Sequence, residues 1–218
     1  MISVAELIQG DRVPGNYFDY PSYVRGELEM GLLENRRGDR LLAVPDTLIS
    51  ALYEALAKET GQAARLVLFN CGKWWGKSFY TRFTEWLTEY YGMPVAEMEM
   101  QLFGLCLQEC WRTHGWGRFE LDMAHQERGF LVVKTRNSPY AKPLPKMNQP
   151  SCYLEAGVLA SFFSRLAGRE LTAVQIACES MGADRNEFVL GLPERLKPAS
   201  AGVEEGLDRE AIWSRLLG

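Results

Sequence analysis

The sequence predicts an α+β fold in which an antiparallel sheet packs against several helices. Two hydrophobic periods support this class. Residues 79–90 carry apolar side chains at helical spacing, whereas residues 119–123 alternate apolar and polar side chains, as a half-buried strand does. Helical segments come first, and one further helix separates the later strands. This order is typical of α+β domains with an antiparallel sheet.

The first part of the chain is predicted to hold an arm, a hairpin and a helix. Residues 1–25 are rich in proline, glycine and aromatic residues, and we expect an irregular arm that packs on the body. Apolar segments flank a turn signal at 36–39, which predicts a β-hairpin. Asp46 can cap the following helix, which is expected to end at Gly61.

The rest of the chain is predicted to alternate helices and strands around a long loop. Residues 62–70 fit either a helix or a buried strand. Helices are expected at 79–90, 95–113, 153–167 and 207–217, strands at 119–123, 130–133, 171–178 and 186–191, a proline-rich loop at 137–150, and a linker from 197. The domain boundaries predicted from this pattern are an arm at 1–25, a domain at 26–196, and a linker with a short C-terminal helix at 197–218.

Composition excludes several classes of function. The chain has 218 residues and a net charge of −4, which argues against binding to a nucleic-acid backbone. No apolar run approaches the length of about 20 residues that a spanning helix needs. Since the start of the sequence has no secretion signal and the five cysteines are odd in number, we expect a cytoplasmic protein with reduced thiols.

Four residues have the spacing of a metal clasp, but two of them are amides. Cys152, Gln175, Cys178 and Asn186 stand where thiolates and a carboxylate would hold zinc, and amides are poor zinc ligands. Buried thiols without metal are therefore the favoured interpretation. Residues 175 and 178 face opposite sides of a regular strand, so these four converge only if the strand ends or bulges there.

Two other motifs point to chemistry less strongly. The segment Gly72-Lys-Trp-Trp-Gly76-Lys-Ser78 is one residue short of a phosphate-binding loop, and we interpret it as an aromatic turn leading into a helix. Cys106, Cys110 and His114 share one stripe of a helix, where core packing is favoured over metal or haem ligation, and where a pocket role for His114 stays open. No signature of a catalytic triad, a zinc protease or a dinucleotide site is present.

The residues resemble the 4-vinyl reductase domain family. The similarity is carried by Cys152-x4-Gly157, Val174-x3-Cys178-x3-Gly182 and Phe188, and more loosely by Gly72-x3-Gly76 and His114-Gly-Trp-Gly117. The resemblance implies a fold akin to haem-based nitric-oxide sensors and to subunits of vesicle-tethering (TRAPP) complexes, a homodimer and an apolar cavity. Zinc-holding members carry Cys, Glu, Cys and Cys at the clasp, so the amides at 175 and 186 argue against zinc.

Three functions are compatible with this resemblance. The leading hypothesis is a non-enzymatic module that binds an apolar, tetrapyrrole-like ligand and acts in pigment handling or photosystem assembly together with proteins of those processes. The predicted ligand-binding residues are Trp74, Trp75, Phe79, His114 and Trp116, covered by the 137–150 loop. The alternatives are a tetrapyrrole vinyl reductase or its accessory subunit, and a ligand-free scaffold that docks through the helix at 207–217.

Overall fold

The computed structural model describes residues 16–142 and 149–218, and the architecture below concerns these residues. The first fifteen residues of the predicted arm and residues 143–148 of the predicted loop lie outside them. The helices are α1 (Tyr20–Tyr23), α2 (Asp46–Thr60), α3 (Ala64–Tyr91), α4 (Met100–Thr113), α5 (Tyr153–Ala167), α6 (Pro193–Glu204) and α7 (Arg209–Leu217). The strands are β1 (Arg25–Glu27), β2 (Leu32–Glu34), β3 (Arg40–Leu41), β4 (Arg118–Asp122), β5 (Leu131–Arg136), β6 (Thr172–Ala177) and β7 (Asn186–Gly191).

The strands form two antiparallel sheets, which confirms the predicted fold class. Strands β1 to β3 make a small sheet near the amino end of the described chain. The main sheet has the order β4-β5-β7-β6, and each neighbouring pair is antiparallel. Helix α5 connects β5 to β6, so the sheet is not a simple meander.

The main sheet buries both faces, because side chains alternate along each strand. On one face Val133 and Phe188 join the large core formed with α3, α4 and α5. On the other face Val132 and Val189 pack against α6 and α7. The fold is therefore three-layered over β5 and β7, with the long helices on one side and the C-terminal helices on the other.

The C-terminal helices are part of the fold. Residues 193–204 form α6, so the segment predicted as a linker from 197 is helical. In α7 Trp213 donates a 3.0 Å hydrogen bond from Nε1 to Glu187 Oε1, and Arg209 contacts Oε2 of the same carboxylate at 2.9 Å. The apolar side chains Ile212 and Trp213, which the scaffold hypothesis assigns to docking, are buried against the sheet.

Helices α3 and α5 cross with their backbones in contact. Gly72 and Gly76 of α3 face Leu154 and Val158 of α5, and Gly157 of α5 faces the carbonyl oxygen of Phe69. A methyl group at Gly72 or Gly157 would overlap a backbone oxygen of the other helix. The interpretation of the Gly72–Ser78 segment as a turn is therefore wrong. These glycines lie inside a 28-residue helix, where the absence of a side chain permits close packing.

The described part of the chain contains no helix of the length and apolarity required to cross a bilayer.

Candidate functional site

Four of the five predicted ligand-binding residues lie together in the large core. Trp116 is at the centre, with ring centroids 4.5 Å from His114, 5.0 Å from Trp75 and 5.5 Å from Phe79. Trp111 of α4 completes this aromatic cluster, with its ring centroid 5.3 Å from that of Trp116. The cluster joins Trp75 and Phe79 of α3 to Trp111 of α4 and to the two aromatic rings just after that helix ends.

Trp74 lies outside the aromatic cluster. Its side chain is 75% exposed, whereas Trp75 is half-buried. Successive residues of a helix point about 100° apart, so adjacent tryptophans cannot both face the same neighbour. Trp74 is therefore not part of the candidate site.

His114 is held in one orientation at the edge of the cluster. Its Nδ1 is 2.8 Å from the Cys110 carbonyl oxygen, which can only accept, so Nδ1 carries the proton. Nε2 then accepts a hydrogen bond from the Tyr23 hydroxyl at 3.0 Å. Burial lowers the pKa of His114, and the ring is neutral at pH 7. Cys110 and Cys106 are both fully buried, as the core interpretation of this stripe expects.

A buried carboxyl, Glu155, lies beside the aromatic cluster. Its side chain accepts hydrogen bonds from Ser138 Oγ at 2.8 Å and from Trp111 Nε1 at 3.4 Å. Burial raises the pKa of Glu155 to about 7, while these hydrogen bonds oppose the shift. Sequence reasoning missed this residue, although a single carboxylate within the apolar segment 154–163 is a usable signal.

The start of the 137–150 loop closes over Glu155. Tyr140 is buried, and its ring centroid is 6.0 Å from that of Trp75. The loop is tied down by Glu179, whose carboxylate accepts hydrogen bonds from the backbone N–H groups of Asn137 at 2.7 Å and Ser138 at 3.2 Å. Below it, the Tyr53 hydroxyl is buried with no hydrogen-bond partner among the described residues. The start of the 137–150 loop thus covers both the Glu155 carboxyl and the edge of the aromatic cluster.

The four clasp residues converge as their spacing predicts. The Sγ atoms of Cys152 and Cys178 are 3.8 Å apart, and Cys152 Sγ is 3.5 Å from Asn186 Oδ1. Gln175 Oε1 accepts a 2.9 Å hydrogen bond from the backbone N–H of Cys152. The pairing of β6 with β7 shifts register between Gln175 and Ala177, where β6 ends, and this irregularity lets residues 175 and 178 reach the same side.

The donor set of the clasp does not fit zinc. Asn186 Oδ1 already accepts hydrogen bonds from Gln175 Nε2 at 3.2 Å and from the Glu179 backbone N–H at 2.9 Å. The Asn186 amide nitrogen donates to Glu179 Oε2 at 2.7 Å. Both amides are therefore engaged within the protein, which leaves two thiols. Across residues 16–142 and 149–218, no group of three or more His, Cys, Asp or Glu side chains is placed to hold a metal ion.

The two clasp thiols differ in acidity. A hydrogen bond from the Cys152 thiol lowers the pKa of Cys178 to about 5, and Ser180 Oγ adds a contact at 3.0 Å. Burial raises the pKa of Cys152 well above its ordinary value. Cys178 is therefore the more acidic of the two thiols.

Two cavities border the clasp. One, of about 330 Å³, has Cys152 and Gln175 in its wall together with Phe69, Ala156 and Val174. The other, of about 560 Å³, has Cys178 in its wall and is lined by residues around β6 and α7. Each thiol of the clasp therefore lines a different cavity.

Comparison with known proteins matches one segment of the chain to a recognised domain. Residues 131–192 match the V4R domain, a segment that runs from β5 to just beyond β7 and contains Glu155 and the whole clasp. The resemblance to the 4-vinyl reductase domain family is confirmed over this segment. No curated protein matches the chain.

Among solved structures, the chain is similar to the phenol-responsive sensory domain of the transcription activator PoxR, determined with phenol. That similarity has a TM-score of 0.65 at 13% identity and covers 85% of this chain and 92% of that chain, so it supports the fold. A vinyl-4-reductase family protein from Methanocaldococcus jannaschii gives a TM-score of 0.42 at 16% identity, over 69% of this chain and 82% of that one. Trafficking protein particle complex subunit 3 from Naegleria fowleri, covalently bound to palmitic acid, gives a TM-score of 0.46 at 12% identity. That similarity covers 67% of this chain and 94% of that one.

Proposed function

We propose that the protein binds a small, planar, mostly apolar molecule in the aromatic cluster beside Glu155. One observation carries this proposal, namely the buried Glu155 carboxyl with its pKa raised to about 7 next to the indole of Trp111. Apolar pockets with a few polar groups of perturbed pKa are the usual form of small-molecule sites. A residue that serves packing alone would not be a carboxyl group.

The residues around Glu155 give each part of such a ligand a partner. Aromatic faces at Trp75, Phe79 and Trp116 favour a planar ring, which stacks or packs edge to face. The Glu155 carboxyl exchanges hydrogen bonds with a hydroxyl or N–H group on the ligand. The Tyr53 hydroxyl, which is buried without a hydrogen-bond partner among the described residues, offers a second polar group. Tyr140, which is buried against Trp75, covers the site.

Two ligands of different size are compatible with this site, a tetrapyrrole and a single-ring phenol. A tetrapyrrole, with a role in pigment handling or photosystem assembly, follows from the resemblance to the 4-vinyl reductase family. A single-ring phenol follows from the similarity in fold to a phenol-responsive domain. Both carry planar apolar surface and polar edge groups, so both are used as probes.

The test is a titration of intrinsic tryptophan emission with phenol and, separately, with a chlorophyll-precursor porphyrin. Binding by either probe at micromolar to low-millimolar concentration is expected to change the emission of Trp111 and Trp116. Trp116→Ala should weaken binding about tenfold or more, since a buried aromatic contact contributes more than 1 kcal/mol. The matched control is Trp74→Ala, which removes the exposed tryptophan next to the cluster. Equal affinity in both variants, or no binding of either probe, contradicts the proposal.

The remaining expectations belong to the same proposal. A cytoplasmic homodimer that acts on pigment or photosystem proteins without catalysing a reaction agrees with the resemblance and the net charge of −4. A native mass spectrum of protein purified from its own host reports the subunit number and any retained pigment in one measurement. A monomer without a bound small molecule would count against this part.

A further inference from the structure

We propose that Cys152 and Cys178 are a peroxide-sensitive dithiol that closes to a reversible disulfide. Their sulfur atoms are 3.8 Å apart, and a disulfide requires an approach to about 2.05 Å. The other thiols do not form such a pair, because Cys71 is exposed, Cys106 contacts Tyr91 and Cys110 contacts His114. Within the described chain this is the one pair of cysteines in sulfur–sulfur contact.

Both thiols lie at the ends of elements, where a small displacement is easily accommodated. Cys152 is the residue before α5, and Cys178 follows the last residue of β6 at the register shift. Formation of the S–S bond therefore requires the two sulfur atoms to approach by less than 2 Å, and the interior of the helix and of the strand can stay in place. Residues in the middle of packed elements lack this freedom.

The polar groups around the pair favour a reactive thiolate over an inert buried thiol. Ser180 Oγ is 3.0 Å and Ser151 Oγ is 3.8 Å from Cys178 Sγ, and either hydroxyl can donate to it. Asn186 Oδ1 lies 3.5 Å from Cys152 Sγ. The two sulfurs therefore differ in role, with Cys178 as the nucleophile and Cys152 as the resolving thiol.

Cys178 lines a cavity of about 560 Å³ through which hydrogen peroxide would approach it. The residue itself is buried, with 1% of its surface exposed. Cys152 lines a different cavity, of about 330 Å³. Because Cys178 is the more acidic thiol, it would react with the oxidant first, and Cys152 would then react with the oxidised sulfur.

The reaction balances with hydrogen peroxide as the two-electron oxidant. The Cys178 thiolate attacks one peroxide oxygen, the O–O bond breaks, and Cys178 becomes a sulfenic acid while hydroxide leaves and is protonated to water. Cys152 then attacks the sulfenic sulfur, loses its proton and expels a second water as the S–S bond forms. Two thiols and one peroxide give one disulfide and two waters, and a dithiol reductant reverses the step.

Closure acts on the segment that covers Glu155. The bond removes the contact of Cys152 with Asn186, and Asn186 is hydrogen-bonded to Glu179 Oε2 at 2.7 Å. Glu179 in turn holds the backbone N–H groups of Asn137 and Ser138. Through these contacts, oxidation of the two thiols would change the affinity for a ligand. This part of the inference rests on the proposed ligand site.

The test treats chelator-washed, reduced full-length protein with stoichiometric hydrogen peroxide and maps its thiols by mass spectrometry. We expect the intact mass to fall by two hydrogens and a proteolytic peptide pair to be joined through Cys152 and Cys178. Cys71→Ser is the matched control and should close the bridge as the unchanged protein does. Cys152→Ser should accumulate a sulfenic acid that a dimedone probe traps at Cys178.

The outcome does not depend on ligand binding or on the folding of a variant. Mapping of the unsubstituted protein alone decides whether the pair closes. If the pair stays reduced while Cys71 is oxidised, or if no cysteine loses hydrogen, the inference is overturned. Closure of the bridge in a protein that binds neither phenol nor a porphyrin would support the dithiol and reject the proposed ligand site.

Discussion

The side-chain amides of Gln175 and Asn186 are hydrogen-bonded to each other at 3.2 Å, with Gln175 Nε2 donating to Asn186 Oδ1. Each amide also supports backbone, since Gln175 accepts from Cys152 N and Asn186 accepts from Glu179 N. An amide can donate and accept at once, and a carboxylate or thiolate cannot. The clasp therefore works as a hydrogen-bonded seam between α5, β6 and β7.

Restoring the ligand set should convert this seam into a zinc site. The double variant Gln175→Glu, Asn186→Cys places a carboxylate and a third thiol beside Cys152 and Cys178, which is a four-ligand arrangement that zinc prefers. We expect about one equivalent of zinc per chain by elemental analysis, with stability that falls on addition of a chelator. The unchanged protein should retain much less zinc after the same wash, and equal retention by both would refute the prediction.

Replacing Gly72 should separate two helices. An alanine Cβ there would overlap the Leu154 carbonyl oxygen, so α3 and α5 have to move apart. We expect Gly72→Ala to lower the free energy of unfolding by about 3 kcal/mol, measured by urea titration.

Gly104 is the matched control for that substitution. It also lies inside a helix, yet a Cβ at this position meets nothing within 4 Å. Gly104→Ala should therefore stabilise the protein by about 0.5–1 kcal/mol through the lower conformational entropy of the unfolded chain. A similar effect from both substitutions would mean that the α3–α5 contact is not close.

The stability of the protein should fall as pH rises through neutrality because of Glu155. Its pKa is about 7 in the folded state and 4.5 in the unfolded chain, so between these values the folded state binds more protons. This contribution is fully present below pH 4.5 and is lost as pH rises through 7, with a total on the order of 3 kcal/mol.

The variant Glu155→Gln isolates this contribution, because glutamine has the same shape and does not titrate. Urea unfolding of both proteins at several pH values between 4.5 and 8 gives the difference in slope directly. The unchanged protein should lose stability relative to the variant over this range. Parallel curves would show that the Glu155 carboxyl titrates in the folded state as it does in water.

Much of the fold and part of the site could be predicted from the sequence. The two-residue alternation near Phe119 and the stripe beginning at Phe79 each identified the correct element, because burial of one face dictates the period. The spacing of Cys152, Gln175, Cys178 and Asn186 indicated that these residues could converge only if the strand ended or bulged near 178, and the structure has that irregularity.

The errors have physical causes that a single sequence conceals. Gly72 and Gly76 were interpreted as turn residues, since glycine favours turns when no partner helix is known. The prediction that Trp74 and Trp75 share a site follows from the same turn, because only a helix fixes the directions in which two adjacent side chains point. Glu155 needed three-dimensional burial before its pKa could distinguish it from a solvated carboxylate.

The backbone contact between α3 and α5 limits how the molecule can respond to anything it binds. Because the main chains of the two helices are in contact, the helices are held at a fixed spacing. Together they form the floor of the aromatic cluster. A molecule bound in the cluster would therefore rest against a floor whose spacing is fixed, and its shape would have to suit that floor.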